Sequence, residues 1–181
     1  MSTLKVNKLT NVAGNADVTN VGKLVQYKVS KKTDGASTTN TTVAGNEISS
    51  DFRITLTPQN ASNIIYVQAF LSLTVDSTST MNIKLYRNTA SDFSGTSTLV
   101  MPETGGTSGN QNVDGNMNLY NGGGGFMGGF AICGFETAGN TNARTYSPFW
   151  AIQATTAYLN QWSSTTSYFS TSTFAVMEIV Q

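Results

Sequence analysis

The residues of this 181-residue chain best suited to chemistry are its carboxylates, since glycoside hydrolysis needs only two acids flanking a sugar. The candidates are Glu103, Asp114, Glu136 and Glu178. They are scattered, and no motif sets two of them at a working separation, so solvated or structural roles are the expectation. Glu178, between Met177 and Ile179, either faces solvent or pairs with a basic group. Histidine is absent and Cys133 is the single cysteine. No intrachain disulfide can form, no zinc site can be assembled from soft ligands, and triad hydrolases, Cys-His proteases and His-ligated metalloenzymes are excluded. Cys133 itself, in the apolar run FAICGF, reads as a small buried hydrophobe. Gly123, Gly125 and Gly128 fit GxGxxG, but that fingerprint needs a helix N-terminus to hold the pyrophosphate, and here a strand follows. The expectation is a protein that is not an enzyme and carries no cofactor or metal.

Binding residues are the alternative. Tyr120, Phe126, Tyr158 and Trp162 are flanked by polar residues or glycine, which makes them candidates for contact with a receptor or glycan. Charge offers a second signal. The net charge is zero, yet residues 1–32 carry +5, from Lys5, Lys8, Lys23, Lys28, Lys31 and Lys32 against Asp17, and the remainder carries −5. A basic leading segment suits docking on an acidic surface, or else its lysines are solvated strand-face residues. Nucleic acid is not expected as a partner, since this segment lacks arginine and has only Tyr27 to stack on a base.

The elements that position these residues are strands. Thr, Ser and Asn number 27, 19 and 18, charged residues are only 11%, and the hydrophobic fraction is 39%. That composition disfavours helical bundles and disorder alike. Residues 24–30 alternate as a first strand. Phe52, Ile54 and Leu56 alternate in a second, stopped by Pro58. The strongest pattern is 63–75, where Ile65, Val67, Ala69, Leu71, Leu73 and Val75 share one face and Tyr66, Gln68, Ser72 and Thr74 the other, so this strand must cross the middle of a sheet. Residues 81–86, 125–136, 145–154, 157–162 and 174–180 complete roughly eight strands, the arithmetic of a jelly roll. Residues 102–125 form a long polar and glycine-rich connection. No apolar run approaches the roughly 20 residues of a membrane span and no hydrophobic signal core opens the chain, so a soluble protein without membrane insertion is expected.

The division expected is an arm, 1–24, and a β-sandwich, 25–181. The arm's apolar residues, Leu4, Val6, Leu9, Val12, Val18, Val21 and Leu24, are too thinly spaced to form a core within one chain and call for a partner or sister subunits.

The opening MSTLKVNKLTNVAG, the blocks DFRITLTPQNASNIIYVQAFLSLTVDS and MNIKLYRN, and the close SYFSTSTFAVMEIVQ resemble a family of small structural proteins of tailed bacteriophages, notably phages of cyanobacteria and other aquatic bacteria. Its members begin with a TLKVNKI arm, enter a strand through ITPKSSSNKILV, carry an LYR strand and end in TVMEIA. The likeness covers most of the chain, is specific at the two ends and is poor between residues 95 and 140. The resemblance implies an all-β jelly-roll head, similar to the trimeric heads of tumour-necrosis-factor and C1q type, tethered to a virion by the arm. Leu4, Lys5, Val6, Lys8, Leu9 and Lys23 would then make the attachment. It implies a homotrimeric surface appendage, a short tail fibre or fibre tip that recognises the host, bound to a tail or baseplate protein. A trimeric capsid decoration (cement) protein on the major capsid protein is the alternative, and a carbohydrate-binding module a further one. A protein made in the host cytoplasm and carried in the virion, with a host-surface glycan as a possible partner, completes the expectation.

Overall fold

Among the described residues the chain runs β1 (Leu24–Lys32), β2 (Ala36–Thr38), β3 (Ile54–Leu56), β4 (Ile64–Val75), β5 (Ser79–Asn88), β6 (Thr98–Leu99), β7 (Asn116–Leu119), β8 (Gly128–Thr137), β9 (Arg144–Ile152), β10 (Ala157–Leu159) and β11 (Ser172–Ile179). The computed structural model describes residues 23–43, 46–76, 79–100, 116–119, 128–161 and 170–181. Leu4, Lys5, Val6, Lys8, Leu9, Tyr120, Phe126, Trp162, Glu103 and Asp114 lie outside them.

The fold is all-β, with every strand pairing antiparallel in one of two sheets. The larger has the order β1-β11-β4-β10-β2, with β8 also on β4; the smaller has β3-β9-β5-β6, with β7 also on β5. As its alternation requires, β4 lies inside its sheet: β11 pairs with it from Ile64 to Phe70, β10 from Leu73 to Val75, and β8 from Ile64 to Leu73. Its face of Ile65, Val67, Ala69, Leu71, Leu73 and Val75 is buried. That face meets Met81, Ile83 and Leu85 of β5 and Trp150 and Ile152 of β9, while Phe174 and Val176 of β11 extend the core. Phe52, in a 3-10 turn over Ser50–Phe52 rather than in the strand its alternation suggests, meets Phe174 edge-on, ring centroids 6.4 Å apart. Three of the strands, β2, β6 and β7, have only two to four residues each; β2 and β6 show no apolar alternation, and β7 alternates Met117 and Leu119 with Asn116 and Asn118 within the stretch 102–125 that reads as a connection.

Pro148 sits in the interior strand β9, where a missing N–H would ordinarily break a ladder. The gap is harmless. The Leu85 carbonyl turns away from β9 to accept from Val100 N at 2.9 Å, so Leu85 and Pro148 face each other without exchanging a bond. On the other flank, β3 pairs only as far as Tyr146 and the chain resumes with the Glu47–Phe149 bridge, and the Pro148 carbonyl takes the Ile48 N–H at 3.0 Å.

Candidate functional site: an apolar outer sheet face

Strand register aligns the outward residues of the larger sheet in rows. Tyr27 of β1 faces Met177 of β11, Met177 faces Tyr66 of β4, and Tyr66 faces Phe135 of β8. The next row is Val29, Ala175, Gln68 and Cys133, and the next Lys31, Thr173, Phe70 and Ala131. Twelve positions on four adjacent strands thus contain one charge, Lys31, and no carboxylate. Large apolar side chains here stand in solvent: Tyr27 is 53%, Val29 54%, Phe70 51% and Phe135 63% exposed, with Leu24 on the same edge strand at 52%. Scattered exposed hydrophobes need no explanation, but a contiguous set on neighbouring strands marks an interaction surface.

Alternation puts these residues outside because their neighbours are needed inside. On β8, Ile132 points into the core, so Ala131, Cys133 and Phe135 must point out. Cys133 is therefore exposed, not the buried hydrophobe that its apolar run suggests. The Tyr66 hydroxyl meets its sulfur, a contact that raises the tyrosine pKa above its ordinary value.

The edge strand β1 is fastened beneath one end of this face by Glu178. That residue does not face solvent: it is fully buried, and its donors among the described residues are all neutral. Its Oε1 takes Asn63 Nδ2 at 2.6 Å and the backbone N–H groups of Gln59 and Asn60 at 2.7 and 3.3 Å, and its Oε2 takes Gln26 Nε2 of β1. Burial is the largest single influence on the carboxyl and pushes its pKa up, but the donors together outweigh it and hold it below the usual range.

Glu136 flanks the same row from β8, as both carboxylates sit opposite Ile65. They are two strand spacings apart, roughly 10 Å. No sugar fits between them, because Ile65 is buried there. Glu136 is itself engaged, accepting from Arg87 Nε at 2.7 Å and the Tyr146 hydroxyl at 2.8 Å, with Arg144 Nη1 at 3.5 Å. Burial and the adjacent Glu136 carboxylate push the Tyr146 hydroxyl far above its ordinary pKa, so it serves as a donor.

Of the four aromatic candidates, Tyr158 alone lies among the described residues. Tyr158 is corrected: it is 4% exposed on β10, between β2 and β4, and its hydroxyl donates to Asp76 Oδ2 at 2.9 Å, so neither ring face is open for stacking. Asn160, one of the polar neighbours that suggest exposure, is itself fully buried and donates through Nδ2 to the Lys32 and Asp34 carbonyls at 2.8 and 3.1 Å. Lys23 is exposed, and its carbonyl accepts from Val180 N at 2.9 Å. Two lysines of the basic segment are used within the fold. Lys28 Nζ donates to the Thr55 carbonyl at 2.6 Å, and Lys32, 6% exposed, bridges Asp34 and Asp51 at 2.8 and 2.9 Å. The Lys32 hydrogen bonds lower the pKa of both aspartates.

The face was missed in sequence because β1, β4, β8 and β11 each contribute only three of its twelve residues, and only register assembles them. The outward position of Phe70 in the 63–75 pattern is the one signal that points to it. In comparisons with known proteins, no family model matches this chain and no curated sequence matches it.

Proposed function

We propose that this chain is a non-enzymatic structural protein of a tailed-phage virion, a homotrimer with a jelly-roll head of tumour-necrosis-factor and C1q type carried on an arm of residues 1–24. The observation that carries this reading is the apolar outer face of β1, β11, β4 and β8, and its occupant is the same face of sister copies. Identical surfaces lacking carboxylates, with a single rim lysine, meet without like-charge cost at their centre. The strand that continues from the arm is the edge strand of this face, so arms of associated copies start side by side and their sparse apolar residues can be buried together. The jelly-roll assignment is supported by strand order, β1-β11-β4-β8 against β3-β9-β5-β7, with the chain passing between sheets from β3 to β4, β4 to β5, β7 to β8, β8 to β9 and β9 to β10. The number three and the virion setting rest on the resemblance of the chain's ends to phage structural proteins. The family's members favour a short tail appendage over capsid decoration.

Light scattering on the purified protein should give three times the 19.2 kDa of the chain. The double variant Phe70→Asp/Phe135→Asp should return a folded monomer that still melts cooperatively, because both side chains stand in solvent in the single subunit, with a melting temperature lowered only by the loss of association. Cys133 reports the same event: a maleimide should label it quickly in the variant and slowly in the trimer. A monomeric wild-type protein with rapidly labelled Cys133 would remove the basis of the reading. Gold-labelled antibody on intact particles then separates tail from head, label at the tail meaning an appendage and label spread over the head a decoration protein.

A further inference from the structure

On the smaller sheet, a cavity of about 410 Å³ is lined by Glu47, Arg53, Tyr86, Asp92, Phe93 and Phe149. Its size is that of a small-ligand pocket. One wall is aromatic: the Tyr86 and Phe149 rings meet edge-on with centroids 5.1 Å apart, and Phe93 tilts against Phe149 at 5.2 Å. The rim is polar and held in place. Arg53 grips Glu47 through Nε, 3.0 Å from both carboxylate oxygens, and Nη2, 2.7 Å from Oε2, and its guanidinium lies 5.9 Å from the Phe93 ring centre.

The loop that supplies Asp92 and Phe93 is built. Asn88, 4% exposed, accepts the Ala90 N–H at 2.9 Å and donates to the Ser94 carbonyl at 3.2 Å and to Ser97 Oγ at 3.3 Å, which pins both ends of the loop. Phe93 is left-handed, with φ of 59°, a conformation that a bulky residue adopts at a cost and that is concentrated where the surroundings enforce it. Hydrogen bonds from Ser94 hold the Asp92 carboxyl below its usual pKa, so at neutral pH it only accepts.

We propose that this pocket binds a neutral hexopyranose, its apolar ring face on the aromatic wall of Tyr86, Phe93 and Phe149 and its hydroxyls on Asp92 and the Arg53–Glu47 pair. The lining sorts ligands by charge. Arg53 already holds the cation position over Phe93, which disfavours a second cation, and two carboxylates against one paired guanidinium disfavour an anion. A polyol with a C–H face matches what remains, aromatic surface beside ionised acceptors and donors. The pocket is on the sheet opposite the self-association face, so the proposal stands whether or not the protein is a trimer or part of a virion.

Saturation-transfer NMR on the full chain tests it, with methyl glucoside, methyl galactoside, methyl mannoside and N-acetylglucosamine as probes and with choline and N-acetylneuraminic acid as charged controls. At least one neutral sugar should receive saturation, strongest at its ring C–H protons, and neither control should. Phe93→Gly removes the ring while relieving the left-handed strain, so the protein should stay folded by thermal melting and lose the signal. Asp92→Asn, a solvent-facing change, should weaken binding about tenfold. Silence from all four sugars, a signal that survives both substitutions, or a response confined to a charged control would overturn the assignment.

Discussion

Val67→Asp should leave the protein unfolded at ordinary temperature, whereas Phe70→Asp, three residues along the same strand, should not change thermal melting of the isolated subunit. Val67 has no exposed surface and is paired on both sides, to Val176 of β11 and Gly134 of β8. Its side chain belongs to the hydrophobic core between the sheets, and the buried cations Lys32 and Arg144 are already paired, with Asp34 and Asp51 and with Glu136. An aspartate there loses the apolar contacts of the valine and must be buried either charged without a partner or protonated with its hydrogen bonds unmet. The loss should exceed about 4 kcal/mol, comparable with the lower end of the roughly 5–15 kcal/mol that holds a domain together. Leu71→Asp, at 1% exposure on the same face, should behave alike. Circular dichroism melts of these variants check the register directly, since a slip of one residue would exchange the two outcomes.

The second large effect belongs to Glu178. Glu178→Ala should cost about 3 kcal/mol or more, because Asn63 Nδ2 and the Gln59 N–H, both bonded to Oε1, lose their acceptor together, and one buried unpaired donor alone costs about 1–3 kcal/mol. Glu178→Gln keeps an oxygen for those donors and should cost less, but it removes a titrating group. The carboxyl's folded pKa lies below its ordinary value, so the stability it contributes is fully present above the unfolded pKa, about 4.3, and is lost as pH falls from there through the depressed folded value. Denaturant melts of wild type and Glu178→Gln should therefore differ at neutral pH and converge in acid. A gap that stays constant from neutrality into acid would mean that the carboxylate's ionisation is not what holds β1 in place.

The β4 pattern shows what was legible in the sequence. Six apolar residues with period two could be satisfied only by a strand inside a sheet, and the all-β class, the first strand and the final strand followed from similar local alternation. What escaped was whatever depends on pairing across the chain. The FAICGF run does not reveal which of its apolar residues point outward, because Ile132 and Cys133 are chemically alike at that level and differ only by parity against β4. The sequence offers Glu178 only solvent or a basic partner, because its neutral donors come from residues 26, 59, 60 and 63, far away in sequence. The pocket residues Tyr86, Phe93 and Phe149 lie on two strands and a loop, and each alone reads as ordinary core or turn. Phe93, in the segment Ser-Asp-Phe-Ser-Gly, was the one residue whose bulk among turn formers could have drawn notice.

The pairing of β1 with β11 has a mechanical meaning. Eight register partners, from Leu24 opposite Ile179 to Lys32 opposite Ser172, connect the first described strand to the last, and Lys28 and Lys32 tie β1 to residues outside that ladder. A pull delivered through Lys23 along the strand loads the transverse hydrogen bonds in shear, so they share the force and must yield together. The same pull directed away from the sheet would part them one at a time. A load applied at this end of β1 is thus resisted strongly along one axis and weakly across it, and its angle to the sheet decides how much of it the subunit survives.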